Sequence, residues 1–515
     1  MPRGLKTVLA VDVGTTSLKV ALVEVDGFRV VARASKPSVI EYPRRGWAEQ
    51  DVEVLWSDIA ELSRELVDSS GLKPAALVYT AHMAGVVPVD SRGRPLRKAI
   101  IWLDERGAGY PRELWRGFPR VQGYNLFKLL RLLRITGGAP GKTGKDPISK
   151  LHWIRDNEGE VFERAYKFLD IKGYLIARAT GRYVTSHDEA SLTWLADTRD
   201  RVARWHPGLL REYGIPGEKL PEILDSTAIA GRLKGDAARD LGLDPGIPVV
   251  VGAGDMTAAG VGSGAVGEGE AHVYIGTSDW IAAHSSRRLL DISHYIGSIL
   301  SAIPQYYFVV AEQEVAAGAL EWFMKISGVE GRYDLVEEAL GEVKPGGAGV
   351  MFAPWLYGER SPVDEPSLRG ILFNISLETG REDVIRAIVD GVVLNMKWAY
   401  GYFEKLVGPQ EYLAAIGGGT LFDEWCLSLA SALKRPVKRL RDPQDAGLRG
   451  AAALAAVSIG IYDSVREAVS RFEYDRVYRP SGEYSKVYDE LFKHYRELYS
   501  RNKKLFREIN RHQAT

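Results

Sequence analysis

Short β-branched blocks and helical apolar periods recur along the chain, and they set the expected elements. Thr7–Val13 and Leu18–Val25 are two β-rich runs joined by Gly14-Thr15-Thr16-Ser17, which predicts a hairpin. Glu53–Val67 carries the period of an amphipathic helix. Ala76–Thr80, Val86–Val89 and Ala99–Trp102 read as strands, the last two separated by the turn Ser91–Pro95. Arg112–Ile135 is expected to be mostly helical, followed by a Gly/Lys/Pro loop over Thr136–Pro147 and a helix over Ile148–Arg155. Pro248–Val251 fits a buried strand, Gly252-Ala253-Gly254 a turn without side chains, and Met256–Val261 a helix of small residues. Ala271–Ile275 then enters a second tight turn, Gly276-Thr277-Ser278. Tyr306–Val310 and Ala414–Ile416 are further strands; Val315–Ile326, Arg381–Tyr402, Asp423–Leu433 and Leu448–Ile459 are helices. A charged terminal helix near Val487–Ile509 reads as a solvated outer element. Strands alternating with helices make this an α/β chain, and the recurrence of Gly-Thr-Ser between strands suggests two related halves.

Length and charge narrow the function. At 515 residues the chain has room for at least two domains. Its 67 basic and 67 acidic side chains balance, so no global field favours nucleic acid or an anionic membrane. The single cysteine, Cys426, rules out an internal disulfide and any cysteine-built metal centre; it reads as a filler of core space. No apolar stretch approaches membrane-spanning length and no signal-like segment precedes Val8, so a cytoplasmic protein is expected. Scarce Asn and Gln beside abundant Arg and Glu lean toward a thermophilic source.

The candidate chemistry lies in three glycine/hydroxyl turns: Asp12-Val13-Gly14-Thr15-Thr16-Ser17, Gly276-Thr277-Ser278 and Gly417-Gly418-Gly419-Thr420. Backbone N–H groups freed by glycine can converge on phosphate oxygens, and Thr and Ser add donors. Asp12, at a strand end, can hold the water shell of Mg²⁺, and Lys19 adds positive charge nearby. Taken singly, each turn is as readily an ordinary hairpin or loop. Asp255 follows the Gly252–Gly254 turn, where it is either an N-cap for its helix or a carboxylate facing a ligand at the sheet edge. Two near-motifs are set aside. Gly262–Gly267 matches GxGxxG but closes a helix, and Gly138–Thr143 lacks the first glycine of a P-loop.

These residues together resemble the FGGY carbohydrate kinases, which share the actin-like (ribonuclease H-like) ATPase fold. The resemblance runs from about Val8 to Gly460. It covers Asp12–Lys19, Ile101–Arg106, Gly252–Asp255, Ile275–Ser278, Ala317–Trp322, Gly358–Pro362 and Gly417–Gly419. It implies two actin-like domains, residues 1–254 and 255–515, closing on ATP across an interdomain cleft. Asp255 would act as general base toward a sugar hydroxyl and Asp12 would serve Mg²⁺. Gly14, Thr15, Thr16, Ser17, Lys19, Gly276, Thr277, Ser278 and Gly318 would serve the phosphates. Gly417, Gly418, Gly419 and Thr420 would lie on the adenosine side, and Met83, Trp102 and Asp104 would line the acceptor pocket. ATP and a small sugar or polyol are the implied partners, with a monomer or homodimer left open.

The chain also departs from the family's patterns. Xylulose-specific members carry Met-His-Gly where this chain has Met83-Ala84-Gly85, with His82 just ahead. Nothing near Tyr79–Val86 resembles the Asn-Gln-Arg-Glu run of glycerol-specific members. Leu427 and Ser431 replace a Gln and an Asp after the third turn, and Lys145 or Asp146 could reach the far end of an acceptor. The expected acceptor is a ketopentose such as D-xylulose, with ribulose, gluconate, erythritol and glycerol as alternatives. An actin-like ATPase used as a binding module is the reading from another class, and a catalytically dead regulator a third; Asp12 and Asp255 argue against the latter.

Overall fold

The computed structural model describes residues 6–347 and 349–510. Two compact units emerge. The first takes the residues up to Val266 with Ile299–Phe308 and Asp445–Phe472; the second takes Gly267–Ser298, Val309–Gln444 and the chain from Glu473 onward. This differs from a division after Gly254, because the helix Asp255–Gly262 continues directly from a buried strand of the first unit and stays with it.

The first unit is built on a six-stranded sheet in the order Ile229–Arg232, Pro248–Gly254, Leu77–Ala81, Thr7–Val13, Ser17–Glu24, Val30–Pro37. The central strands are buried on both faces, which is why they read as continuous apolar runs. The Val30–Pro37 strand alternates half-buried and exposed positions and escaped detection from its apolar content. Thr7–Val13 pairs parallel with Leu77–Ala81, which pairs parallel with Pro248–Gly254, so Val13, Ala81 and Gly254 end side by side. Asp12–Gly14, His82–Ala84 and Asp255 therefore leave from one sheet edge, each chain about 4.8 Å from its neighbour.

One segment departs from expectation. Arg112–Ile135 is not one helical stretch: a single turn at Arg112–Trp115 is followed by a hairpin of Arg120–Val121 with Tyr124–Asn125, and only Leu126–Thr136 is a longer helix. Gly117 and Gly123 in the left-handed region interrupt the period. The expected loop over Thr136–Pro147 is shorter by one residue at each end, residues 137–146, and leads to a helix over Pro147–Asn157.

The second unit repeats the plan. Its seven-stranded sheet runs Ile296–Leu300, Tyr307–Gln313, Asp279–Ser285, Ala271–Ile275, Leu413–Ile416, Val437–Leu440, Tyr474–Tyr478. From the second strand of this order onward it matches the first sheet read back from Val30–Pro37: an antiparallel hairpin, two parallel pairings, then an antiparallel edge. Cys426 is buried against this core. The terminal helix, Gly482–Ile509, is more than a solvated outer element. Tyr488 and Tyr495 point inward, where the Tyr488 hydroxyl bonds Asp390 at 2.6 Å and Tyr495 donates to Asn395 at 2.9 Å. Glu359 is buried and accepts from Asn395 at 2.6 Å, and Arg360 reaches Glu314 at 2.5 Å and also pairs with Glu312. Burial pushes the Glu359 carboxyl up to about 8. Among the described residues no helix is long and apolar enough to cross a membrane.

In the first unit the helices Asp255–Gly262 and Ala446–Ser458 cross at backbone distance. A Cβ on Gly450 would lie 1.9 Å from the Ala258 carbonyl oxygen, and one on Gly262 would lie 1.8 Å from that of Ala446. This contact, not dinucleotide binding, accounts for the glycine that opens the GxGxxG run. Gly450→Ala should cost about 1–3 kcal/mol by overpacking, read as a lowered Tm in calorimetry. Gly401→Ala, where nothing lies within 4 Å, should leave Tm unchanged or raise it. Equal Tm values for the two variants would contradict the close crossing.

Candidate functional site

The first hairpin turn is held by its own backbone. Gly14 N–H donates to the Ser17 carbonyl at 3.0 Å, and the Ser38 hydroxyl donates to the Gly14 carbonyl at 2.6 Å. Thr15 accepts from the Trp102 indole N–H at 2.9 Å, so the phosphate-type turn and the expected acceptor wall meet. Asp12 pairs across the hairpin with Lys19, whose Nζ stands 3.9 Å from Asp12 Oδ2. The Asp12 side chain is 15% exposed and faces the start of the Ala446–Ser458 helix, near Gly447. Burial raises its carboxyl above the usual carboxylate range; Lys19 opposes the rise and the Asp445 carboxylate adds to it.

The turn before Asp255 depends on a left-handed glycine. Gly252 has φ 65°, and a Cβ there would meet the Tyr79 carbonyl oxygen at 2.2 Å. The pairing register shifts between Val250 and Ala253, a bulge that re-aims the strand end. Gly254, with no side chain to donate a cap, is the N-cap, and Asp255 is the first helical residue. Its Oδ1 accepts from Met256 N–H at 2.8 Å, and the side chain is only half-buried. The turn is braced from outside by Asp188, from the helix His187–Leu192. Asp188 Oδ2 accepts from Gly254 N–H at 2.8 Å and from the Thr257 hydroxyl, while Oδ1 accepts from the Ser186 hydroxyl. Asp188 is fully buried. A neighbour thus braces the turn that carries Asp255, whose Oδ1 takes the Met256 N–H.

Met83 lies over the same turn, since a Cβ on Gly254 would meet Met83 Cγ at 2.4 Å. His82 behind it bonds Gln50 Oε1 through Nε2 at 3.0 Å; burial, with the charge of Lys150, lowers it to about 4 and keeps it neutral. Asp104 is placed differently from a pocket-lining acceptor. It is fully buried, taking Ala48 N–H at 2.6 Å on Oδ2, Arg106 N–H at 2.9 Å on Oδ1, and the Arg106 guanidinium on both oxygens. Arg106 in turn stacks on Trp47 at 3.8 Å. The carboxylate's lone pairs are committed to this frame. Asp146 staples the long loop by accepting from Gly141 N–H at 2.7 Å and Trp194 Nε1 at 2.6 Å, and Lys145 stands 3.4 Å from Glu105.

The second unit gathers its glycine turns at one strand end. Gly276 N–H donates to the Ser278 carbonyl at 2.9 Å, mirroring the first hairpin. Ala316 and Gly318 N–H groups donate to the Thr277 carbonyl at 2.8 and 3.2 Å, and Ala317 N–H to the Gly276 carbonyl at 2.9 Å, seating the turn on the start of the Ala317–Ile326 helix. Gly417, with φ 94°, crosses over Ile275, where a Cβ would meet the Ile275 carbonyl oxygen at 2.4 Å. Gly418 faces open space, with nothing within 4 Å of its Cβ position. The Thr420 hydroxyl donates back to the Gly417 carbonyl at 2.7 Å. Ser431 turns away from this edge, bonding Leu427 and Ser481.

Family models match both parts of this architecture. Residues 7–262 match the N-terminal domain of the FGGY family of carbohydrate kinases, and residues 271–459 match its C-terminal domain. The chain belongs to the FGGY family of carbohydrate kinases. It is 28% identical to a xylulose kinase of Escherichia coli (strain K12), over 95% of this chain and 98% of that one. It is 25% identical to a gluconokinase of Bacillus licheniformis, covering 94% and 93%. The solved structure of a ligand-bound xylulose kinase from Lactobacillus acidophilus superposes with a TM-score of 0.85 at 24% identity, covering 97% and 98%.

In this FGGY kinase the first unit assembles Asp12, Gly14–Ser17, Lys19, Met83, Trp102 and Asp255 at one sheet edge, and the second assembles Gly276–Ser278, Gly318 and Gly417–Thr420 at another. Asp188, Glu189 and Lys150 went unnoticed in the sequence. Ser186-His187-Asp188-Glu189 reads as an ordinary helix start; only the buried neighbours of its carboxylates distinguish it.

Proposed function

We propose that this FGGY member transfers the γ-phosphoryl group of ATP to a hydroxyl of an open-chain ketopentose, D-xylulose in the first instance. The observation that carries the reading is Asp255: a half-buried carboxylate at the end of a sheet strand, beside Met83 and two strands from the Gly14–Ser17 turn, in a turn braced by the buried Asp188. In the transfer, the acceptor hydroxyl gives its proton to Asp255 as its oxygen bonds to the γ-phosphorus, and the bond to the β-bridging oxygen breaks to release ADP. The protein's work is placement. The Gly276–Ser278 turn and Gly318 contact phosphate oxygens, Gly417–Thr420 the adenosine side, and Gly14–Ser17 with Lys19 the transferring group.

Trp102 presents an apolar ring to the carbon skeleton, its N–H held by Thr15, with Met83 beside the turn. Asp104 serves this wall indirectly, by fixing Arg106 and the Ala48 backbone. Mg²⁺ fits Asp12 as a hydrated ion. A hard oxygen donor, raised by burial and by Asp445, gains from a nearby cation, and among the described residues no cluster of three or more His, Cys, Asp or Glu supplies an all-protein cage. When bound, the ion would neutralise β- and γ-phosphate charge. Use of ATP as substrate supports the cytoplasm as the proposed compartment. An aldonate such as gluconate is the second acceptor reading, supported by the gluconokinase relative.

Phosphorylation rates for xylulose, ribulose, gluconate, erythritol and glycerol test the acceptor. Xylulose should give the highest kcat/KM and glycerol a poor one, because a three-carbon chain covers less of the apolar Trp102 and Met83 wall. A tenfold preference for gluconate would move the assignment to the second reading, and one for glycerol would overturn the acceptor reading outright. Asp255→Asn should lower kcat by about 10²–10⁴ with ATP still bound; parental turnover would remove Asp255 from the chemistry. Excess chelator should abolish transfer, and Mg²⁺ should restore it. Unchanged turnover in chelator would exclude the metal.

A further inference from the structure

Ala84 sits in the left-handed region, with φ 60°, a conformation that costs an alanine energy unless its surroundings hold it. Both of its backbone polar groups are taken by buried, ionisable side chains from two other helices. Lys150 Nζ, from Pro147–Asn157, donates to the Ala84 carbonyl at 2.7 Å. Ala84 N–H reaches Glu189 Oε2, from His187–Leu192, at 3.4 Å. Lys150 is fully buried and Glu189 is 3% exposed. On one side of Ala84, Met83 covers Gly254; on the other, a Cβ on Gly85 would meet Ile171 Cγ1 at 2.8 Å, so the tripeptide has no room to relax.

The same short helix does two jobs with consecutive residues. Asp188 holds the turn that carries Asp255, and Glu189 holds the turn that carries Met83. We infer that Lys150 and Glu189 are positioning residues for the acceptor, a two-sided clamp on Ala84 that fixes the Met83–Gly85 turn against Gly254 and thereby sets acceptor affinity. The inference rests on the kinase reading but not on which sugar is the acceptor. A clamp acting only on backbone groups works whatever side chain stands at position 84.

The charges around the clamp are self-consistent. Burial lowers Lys150 to about 7, while Asp146 and Asp104 pull it back up and Lys145 and Arg106 push it down. Burial raises Glu189 well above the usual carboxylate range, helped by Asp170 and Asp188 and opposed by Lys172. A lysine and an acid made costly by burial, both spent on one strained residue, suit a place where backbone position matters more than stability.

The test compares Lys150→Met and Lys150→Arg with the parent, using whichever acceptor of the panel the parent phosphorylates best, together with amide hydrogen exchange over residues 82–86. Lys150→Met should raise the acceptor KM by about tenfold or more, leave the KM for ATP and kcat within about twofold, and speed exchange at Ala84. Lys150→Arg, which can still donate to the Ala84 carbonyl, should recover most of the acceptor KM. Equal losses for acceptor and ATP, or an unchanged acceptor KM with faster exchange, would overturn the clamp while leaving the kinase reading intact. If the parent phosphorylates no acceptor, the kinase reading fails, and unchanged exchange at Ala84 in Lys150→Met would overturn the clamp independently.

Discussion

The first unit's site depends on the grip of Asp188 on the turn between Gly254 and Thr257. A buried carboxylate that accepts from Gly254 N–H, the Thr257 hydroxyl and the Ser186 hydroxyl ties that turn to the helix His187–Leu192. Removing it would strand buried polar groups, at about 1–3 kcal/mol for each. Asp188 thereby braces the turn from a neighbouring helix, and Asp255 is carried on it one residue later. The same division of labour recurs around the site. Asp104 spends its lone pairs on Ala48 and Arg106, and Asp146 spends its own on the loop at Gly141 and on Trp194, so residues that look like substrate contacts are the frame that holds the contacts.

Repetition of one topology explains how phosphate-type turns arise in both units. In each sheet a hairpin closes with a glycine N–H donating back across the turn, and a parallel strand ends beside it. In the first unit the neighbouring strands deliver Asp255 and Met83. In the second they deliver Gly417–Thr420, where glycine is required because the chain passes over Ile275 at backbone distance. One scaffold thus carries acidic chemistry at one sheet edge and bare backbone donors at the other.

Much of this was legible in the sequence because the motifs sit where strands end. The Gly14–Ser17 and Gly276–Ser278 turns, Asp255 after its glycines and the Gly417–Gly419 run all fall at the carboxyl ends of strands that also read as strands. What was hidden lacked a local signal. The Val30–Pro37 strand is polar on one side, and the Arg120–Asn125 hairpin lies in a stretch whose leucines and arginines suggested a continuous helix. Asp188 and Glu189 look like an ordinary helix start, and Asp104 like a pocket-lining acceptor, because burial and partners distant in sequence decide their roles.

The account stands on Asp188 and Asp255 acting as one unit, and a double-mutant cycle on kcat measures this directly. Asp188→Asn, Asp255→Asn and the double variant, each confirmed folded by circular dichroism, should lose turnover to nearly the same extent, since a proton acceptor without its turn and a turn without its acceptor fail at one step. If Asp188→Asn turns over like the parent, or if the two losses multiply in the double variant, the carboxylates act independently and the central claim is contradicted.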